Sequence, residues 1–109
     1  MSTLFNLGSG TATASSGAAT LANRFGIITS EALTTAAAAS YTLTITDTQI
    51  NAADIVFASV KNGTNTQGIT VVQSVTPAAG SVVIKVANLH ASEALNGTIK
   101  ISFAAFGAA

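Results

Sequence analysis

The sequence predicts an all-β protein, an antiparallel β-sandwich or jelly-roll-like fold with a flexible N-terminal arm. The clearest observation is residues 41–46, Tyr-Thr-Leu-Thr-Ile-Thr, in which apolar and hydroxyl side chains alternate strictly. Such alternation is typical of a strand with one buried and one solvated face. Residues 98–103, Thr-Ile-Lys-Ile-Ser-Phe, also alternate between polar and apolar side chains. Finally, candidate strands recur about every ten residues between Gly-, Pro- and Asn-containing turns, as they do in sandwiches.

The first half of the predicted sandwich is less regular. Residues 26–30 are a short strand candidate. The four alanines at 36–39 favour helix, but the run is too short to nucleate one, so a helical turn or a loop is expected. Residues 55–60, Ile-Val-Phe-Ala-Ser-Val, are apolar on both faces and predict a central strand of the sandwich.

The second half contains a predicted hairpin. Residues 69–75 and 81–87 are strand candidates, and residues 76–80 form the turn between them, because Pro77 fixes φ and Gly80 closes the turn. The residues expected to face inward from the second strand are Val82, Ile84 and Val86.

An extended N-terminal arm is predicted over residues 1–25, and the sandwich domain over 26–109. Residues 8–20 are low in complexity, with side chains too small to offset the entropy of ordering them. An apolar tag precedes them, formed by Leu4, Phe5 and Leu7. An apolar tip on such a segment suggests an arm that orders on a partner. A frayed terminus, or a first strand followed by a long loop, fits the same residues.

The charges are few and balanced. The chain carries four basic and four acidic residues, scattered singly, so nucleic acid is not an expected partner. Charged residues make up 7% of the chain, where about 25% is usual. A free monomer of this kind has weak colloidal repulsion, which suggests a surface covered by neighbours. Alternatively, the sequence has become rich in Ala and Thr under weak selective constraint, and hydroxyl groups keep its exposed surface soluble.

No residue set points to catalysis, a cofactor or a metal. His90 is the single histidine, there is no cysteine, and no Gly-x-Ser-x-Gly motif is present. We expect His90 to be a loop residue making one hydrogen bond, and Asp47 and Asp54 to be turn formers. Residues 1–23 lack the features of a secretory signal, and no apolar run is long enough for a membrane span. We therefore expect neither an enzyme nor a membrane partner.

The C-terminal half carries a resemblance. Its most characteristic part is residues 95–103, Leu-Asn-Gly-Thr-Ile-Lys-Ile-Ser-Phe, which follows Val-Thr-Pro-Ala-Ala-Gly-Ser-Val-Val-Ile-Lys-Val at 75–86 and Asn-Leu-His-Ala at 88–91. Over roughly residues 27–103 the chain resembles small virion proteins of tailed bacteriophages. Its short length, N-terminal arm and lack of catalytic chemistry are most similar to capsid decoration, or cement, proteins.

This resemblance implies a small β-sandwich or jelly roll that stabilises the assembled capsid without a cofactor. Such a protein sits as a homo-oligomer, a dimer or trimer, over joints between major capsid protein subunits. It lies on the outer surface of the virion, which is assembled in the host cytoplasm. The candidate capsid-contact residues are Leu4, Phe5, Leu7 and Phe106. Phe106, in the apolar tail 104–109, either fills a gap in the core or docks on a neighbour.

Two further expectations follow. Deleting residues 1–20 should weaken capsid binding and leave the fold intact. The alternative function is a phage tail or fibre module. A module that recognises a host surface would use the loops at 61–68 and 88–97, whereas a tail-tube subunit would assemble into rings.

Overall fold

The computed structural model describes residues 9–107, which form eight strands in two four-stranded sheets. The strands are β1 (Ser9–Thr13), β2 (Ala18–Leu21), β3 (Phe25–Thr29), β4 (Ser40–Asp47), β5 (Ile55–Asn62), β6 (Thr70–Ala78), β7 (Ser81–Asn88) and β8 (Ile99–Phe106). The first sheet has the order β1-β3-β8-β5, and the second has the order β2-β4-β7-β6. No helix occurs between residues 9 and 107, so the predicted all-β class is confirmed.

Both sheets are mixed. Strand β1 pairs in parallel with β3, and β2 pairs in parallel with β4, whereas the other four pairings are antiparallel. The prediction of purely antiparallel pairing is therefore wrong at the N-terminal strands, and the jelly roll is not confirmed. Parallel neighbours need a crossover connection. Here, the chain supplies one by placing β2 in the other sheet between β1 and β3.

The extended arm predicted for residues 1–25 is not confirmed. Its described part, from residue 9 onward, contains β1 and β2, which form an edge of each sheet, and the first residue of β3. Ala14 and Ala19, at 3% and 8% exposure, belong to the core. The small side chains fit beside the larger core residues, and backbone pairing orders the segment. The sandwich thus begins before the predicted boundary at residue 26, and removing residues 9–20 would take away two of its strands.

The core lies between the sheets and is built by alternation. In β4 the buried residues are every second one, Tyr41, Leu43 and Ile45, with the threonines outside, which confirms the predicted strand at 41–46. The inward-facing positions predicted for the second hairpin strand, now β7, are also confirmed. The aliphatic core side chains with no exposure are Ile28, Leu43, Ile45, Val82, Ile84, Val86, Ile99 and Ile101.

The predicted hairpin is present with a tighter turn. Strand β6 continues through Pro77 to Ala78, so only Ala79 and Gly80 connect it to β7. Gly80 has φ of 79°, a conformation that glycine adopts readily. Pro77 is tolerated within β6 because β6 lies at the edge of its sheet.

The central position predicted for residues 55–60 is wrong. They lie in β5, which among the described strands pairs only with β8 and forms an edge of the first sheet. Ile55 and Phe57 are 57% and 64% exposed. The strand is apolar on both faces as predicted, but within residues 9–107 no neighbouring strand pairs with its outer edge.

A buried amide organises the loops at one end of the sandwich. The Oδ1 atom of Asn88, a fully buried residue, accepts hydrogen bonds from the N–H groups of Ile69 and His90, each at 3.1 Å. Its Nδ2 atom donates to the carbonyls of Glu93 at 2.8 Å and Thr35 at 3.2 Å. The segment containing the four alanines is one of these loops, so it is a loop and not a helical turn.

An ion pair joins the start of β3 to the other end of the sandwich. The Arg24 guanidinium contacts the Asp54 carboxylate at 2.9 Å, and their side chains are 26% and 2% exposed. Arg24 also donates to the carbonyl of Ala105 at 3.1 Å and to that of Gln49. One side chain therefore ties the N-terminal segment, β8 and the β4–β5 turn together.

Tyr41 and Glu31 form a second link. The Tyr41 hydroxyl donates to Oε1 of Glu31 at 2.8 Å, and Oε2 of Glu31 accepts the Gly17 N–H at 2.8 Å. Burial, the hydrogen bond and the negative charge of Glu31 all raise the pKa of Tyr41 far above its usual value of 10.0. The pair holds the β1–β2 turn against β4.

We expect Arg24→Ala to lower the free energy of unfolding by about 3 kcal/mol, because it leaves the buried Asp54 carboxylate without its cationic partner. Chemical denaturation measures the change. Lys85→Ala is the matched control: Lys85 is exposed on β7 and forms no ion pair within residues 9–107, so its loss should cost less than about 0.5 kcal/mol. Equal effects of the two substitutions would show that the ion pair does not stabilise the fold.

We also expect stability to fall as pH rises above 10. The unfolded chain loses the Tyr41 proton near its usual pKa, whereas the folded chain retains it. The contribution is therefore fully present below pH 10 and declines at higher pH. Tyr41 is the only tyrosine, so phenolate absorbance reports on it alone. Tyr41→Phe should be less stable by about 1 kcal/mol at neutral pH, and its stability should decline less at high pH. The same alkaline loss in both proteins would contradict this assignment.

Candidate interaction surface

The outer faces of the two sheets differ in chemistry. The exposed residues on the outer face of the second sheet are mostly hydroxyl-bearing: Thr20, Ser40, Thr42, Thr44, Thr46, Ser74 and Thr76. By contrast, the outer face of the first sheet carries four of the six large apolar residues exposed in the described chain: Ile27, Ile55, Phe57 and Phe106. Water solvates the hydroxyl face well, but a contiguous exposed apolar surface is typical of an interaction site.

Three phenylalanines lie together on the outer face of the first sheet. The Phe106 ring packs edge-to-face against Phe25 and Phe57, with centroids 5.7 Å apart in each pair. The aromatic patch comprises these rings with Ile27 and Ile55. Ala104 lies opposite both Phe25 and Phe57 in the strand register, and its small side chain leaves a depression of about 240 Å³. The depression is lined by Phe57, Ala58, Ser59, Ser102, Phe103 and Ala104.

The other end of this face is basic. Lys61 on β5 and Lys100 on β8 lie directly opposite one another and form no ion pair within the described residues. Two like charges in this arrangement cost stability unless an anion joins them. No carboxylate lies on the described part of this face. A second depression of about 420 Å³ adjoins the lysine pair, lined by Thr11, Ala12, Thr13, Ile27, Thr29, Lys61 and Lys100.

Of the four sequence-predicted contact residues, only Phe106 can be placed. It is 39% exposed, ends β8, and belongs to the aromatic patch, so its side chain does not fill a gap in the core. The other three candidates, Leu4, Phe5 and Leu7, lie outside the described residues.

Sequence reasoning missed the other members of the aromatic patch. The signal for Ile55 and Phe57 was present in residues 55–60, which are apolar on both faces, but it was interpreted as complete burial. Phe25 and Ile27 flank Gly26 on β3, and the strand was too short to show which face was buried.

The residues considered for catalysis or metal binding have structural contacts. His90 Nδ1 accepts hydrogen bonds from the N–H groups of Ser92 and Glu93, each at 3.0 Å, so it organises its own loop. Asp47 accepts from the Gln49 N–H and Asp54 from the Asn51 N–H, as expected of turn formers. Between residues 9 and 107, no group of three or more His, Cys, Asp or Glu residues could hold a metal ion. That same region has no helix that could cross a membrane.

The two loops proposed as host contacts are bonded to one another. Asn65, 3% exposed, accepts the Asn96 N–H at 2.8 Å, and Asn96 accepts the Thr66 N–H at 2.7 Å. The hydroxyls of Thr64 and Thr98 add further bonds between the same segments. Many of the polar groups in these loops are thus used within the protein.

The exposed and buried phenylalanines should respond differently to truncation. We expect Phe57→Ala to change the free energy of unfolding by about 1 kcal/mol or less, mainly through the lost contact with Phe106. Phe103→Ala removes a core ring that is 4% exposed and should cost about 3–5 kcal/mol. Chemical denaturation of both variants tests the assignment, and a large loss for Phe57→Ala would mean that its ring is part of the core.

Comparison of the chain with protein-family models, with curated proteins and with solved structures finds no match. Its function is therefore inferred from its own sequence and from the surface formed by the outer face of the first sheet.

Proposed function

We propose that this chain is a structural virion protein of a tailed bacteriophage that binds and stabilises the assembled capsid by bridging major capsid protein subunits. The observation that carries the proposal is the difference between the two outer faces, one hydroxyl-rich and the other bearing the aromatic patch. A β-sandwich solvated on one side and apolar on the other is suited to lie flat on a larger surface. The resemblance of residues 27–103 to small virion proteins of tailed bacteriophages supports the same function.

The chemistry of the face defines the capsid surface that it fits. The depression beside Phe57 is mostly apolar and offers a shallow contact site for an apolar side chain of the capsid subunit. The pair of Lys61 and Lys100 is complementary to one or two carboxylates on the capsid subunit. Between them, hydroxyl and small side chains provide polar contacts without adding charge. The proposed partner surface is therefore apolar at one end and acidic at the other.

Stabilisation follows from linkage. A protein that binds the assembled lattice and not the free subunits favours assembly by its free energy of binding. Each contact can be modest because it is repeated at many equivalent positions. An oligomer that holds two subunits at once gains effective concentration for its second contact. The proposed location is the outer surface of the virion, and no reaction is part of the function.

The test is co-sedimentation of the purified chain with empty capsids of its phage. Phe106→Ser should weaken binding about tenfold or more, as truncation of an anchor in an interface core does. The matched control is Leu89→Ser, since Leu89 is also an exposed apolar residue, at 61%, but lies outside the first sheet. It should bind like the unchanged protein.

The charge at the other end of the face is tested in the same way. Lys100→Glu should abolish most of the binding and its salt dependence, whereas Lys85→Glu on the second sheet should have little effect. Failure of the unchanged chain to bind capsids, with binding to host envelope instead, would support the tail or fibre alternative. Assembly into rings without capsid binding would support a tail-tube subunit.

A further inference from the structure

Strand β5 is the only long edge strand of the described sandwich without a feature that blocks pairing. Strands β1 and β2 have five and four residues, and β6 contains Pro77 and a register shift between Val72 and Ser74. Short strands, prolines and bulges are the usual protection of exposed sheet edges. Strand β5 has eight residues, pairs with β8 in unbroken register, and carries one charge, at Lys61.

The side chains of β5 are also incompletely covered on both faces. On the outer face, Ile55 and Phe57 are largely exposed, and on the inner face Val56 and Val60 are only half-buried although they pack against the core. The neighbouring strand β8 buries every second residue almost completely. Strand β6 of the other sheet lies near β5, but no backbone hydrogen bond joins the two in the described chain.

We propose that β5 pairs antiparallel with β5 of a second copy of this chain, across a two-fold axis perpendicular to the first sheet. The two first sheets would then form one continuous eight-stranded sheet. This places β5 at the centre of the sheet, the position for which its sequence is suited. The pairing satisfies the free backbone edge and covers the half-buried inner valines.

A second copy fits this edge because β5 is self-complementary. In antiparallel pairs, directly opposite residues point to the same face, so a register centred on Ser59 keeps outer residues with outer residues. Phe57 then lies opposite Lys61 of the second copy, an arrangement in which the ammonium group contacts the ring. No register that pairs five or more residues of β5 brings the two copies of Lys61 opposite one another.

The pairing also has a consequence for the proposed surface. A two-fold axis perpendicular to the sheet places both aromatic patches on the same side of the extended sheet, with Phe57 of each copy beside Lys61 of the other. One dimer would thus present two equivalent contact surfaces in one plane. The self-association itself does not depend on the proposed capsid binding and is measured without capsids.

The test uses the absence of cysteine from the chain. Ser59→Cys introduces a single thiol that meets its copy across the axis at the Cα separation of opposed antiparallel residues, about 4.5–5.5 Å, which a disulfide spans. Under mild oxidation most of this variant should become a covalent dimer. Thr44→Cys, exposed on the outer face of the second sheet, is the control and should remain uncrosslinked.

Sedimentation equilibrium of the unchanged chain provides the second measurement and should give twice the monomer mass. Phe57→Lys should shift the chain to monomer, because the introduced lysine faces Lys61 of the second copy. Adding Lys61→Glu should restore the dimer by pairing opposite charges, and circular dichroism verifies that each variant is folded. A monomeric unchanged chain, a dimer indifferent to Phe57→Lys, or equal crosslinking of the two cysteine variants would overturn the proposal. A dimer that fails to bind capsids would contradict only the proposed function.

Discussion

The hydrogen-bonding requirement of the strand backbone is the constraint on which this structure depends. Strands β3, β4, β7 and β8 each lie between two neighbours, so both of their backbone edges are paired over at least part of their length. These central strands supply most of the core residues with no exposure. Within residues 9–107, strands β1, β2, β5 and β6 each have a single paired edge. Short length limits further pairing of β1 and β2, and a proline and a register shift limit that of β6. Among these edge strands, β5 alone combines length, regular register and exposed apolar side chains.

In the connections between strands, buried amide side chains make the contacts that charged side chains often make in other proteins. Asn88 and Asn65 are buried, and their side chains bind the backbone groups of several loops at once. Each amide offers donors and an acceptor without the desolvation penalty of a charge. This explains how a chain with 7% charged residues holds its connections in place. In the described part of the chain, the one ion pair with a well-buried carboxylate, Arg24 with Asp54, is supported by bonds to two carbonyls.

The sequence predicts the parts of this fold in which alternation is strict. Strands β4, β7 and β8 are predicted by the two-residue alternation of apolar and polar side chains, because one face of each strand is buried and the other solvated. The N-terminal strands β1 and β2 were not predicted, since small residues that pair with β3 and β4 show no apolar alternation in the sequence. The position of β5 was mistaken because apolarity on both faces indicates coverage but not what provides it. Phe106 was identified as a candidate contact from its place in an apolar tail, whereas its partners Phe25 and Phe57 depend on a register that no local pattern encodes.

The position of β8 in the first sheet constrains the order of folding. It lies between β3 and β5, yet it follows both in the chain, separated from β5 by the whole β6–β7 hairpin. During synthesis β3 and β5 therefore emerge without the strand that joins them, and the first sheet cannot close until β8 has left the ribosome. The β4–β7–β6 portion of the second sheet is complete earlier, and its β6–β7 hairpin is held by local contacts. Until closure, the apolar β5 lacks its partner strand, and unpaired apolar strands are the segments of a folding chain most prone to aggregate.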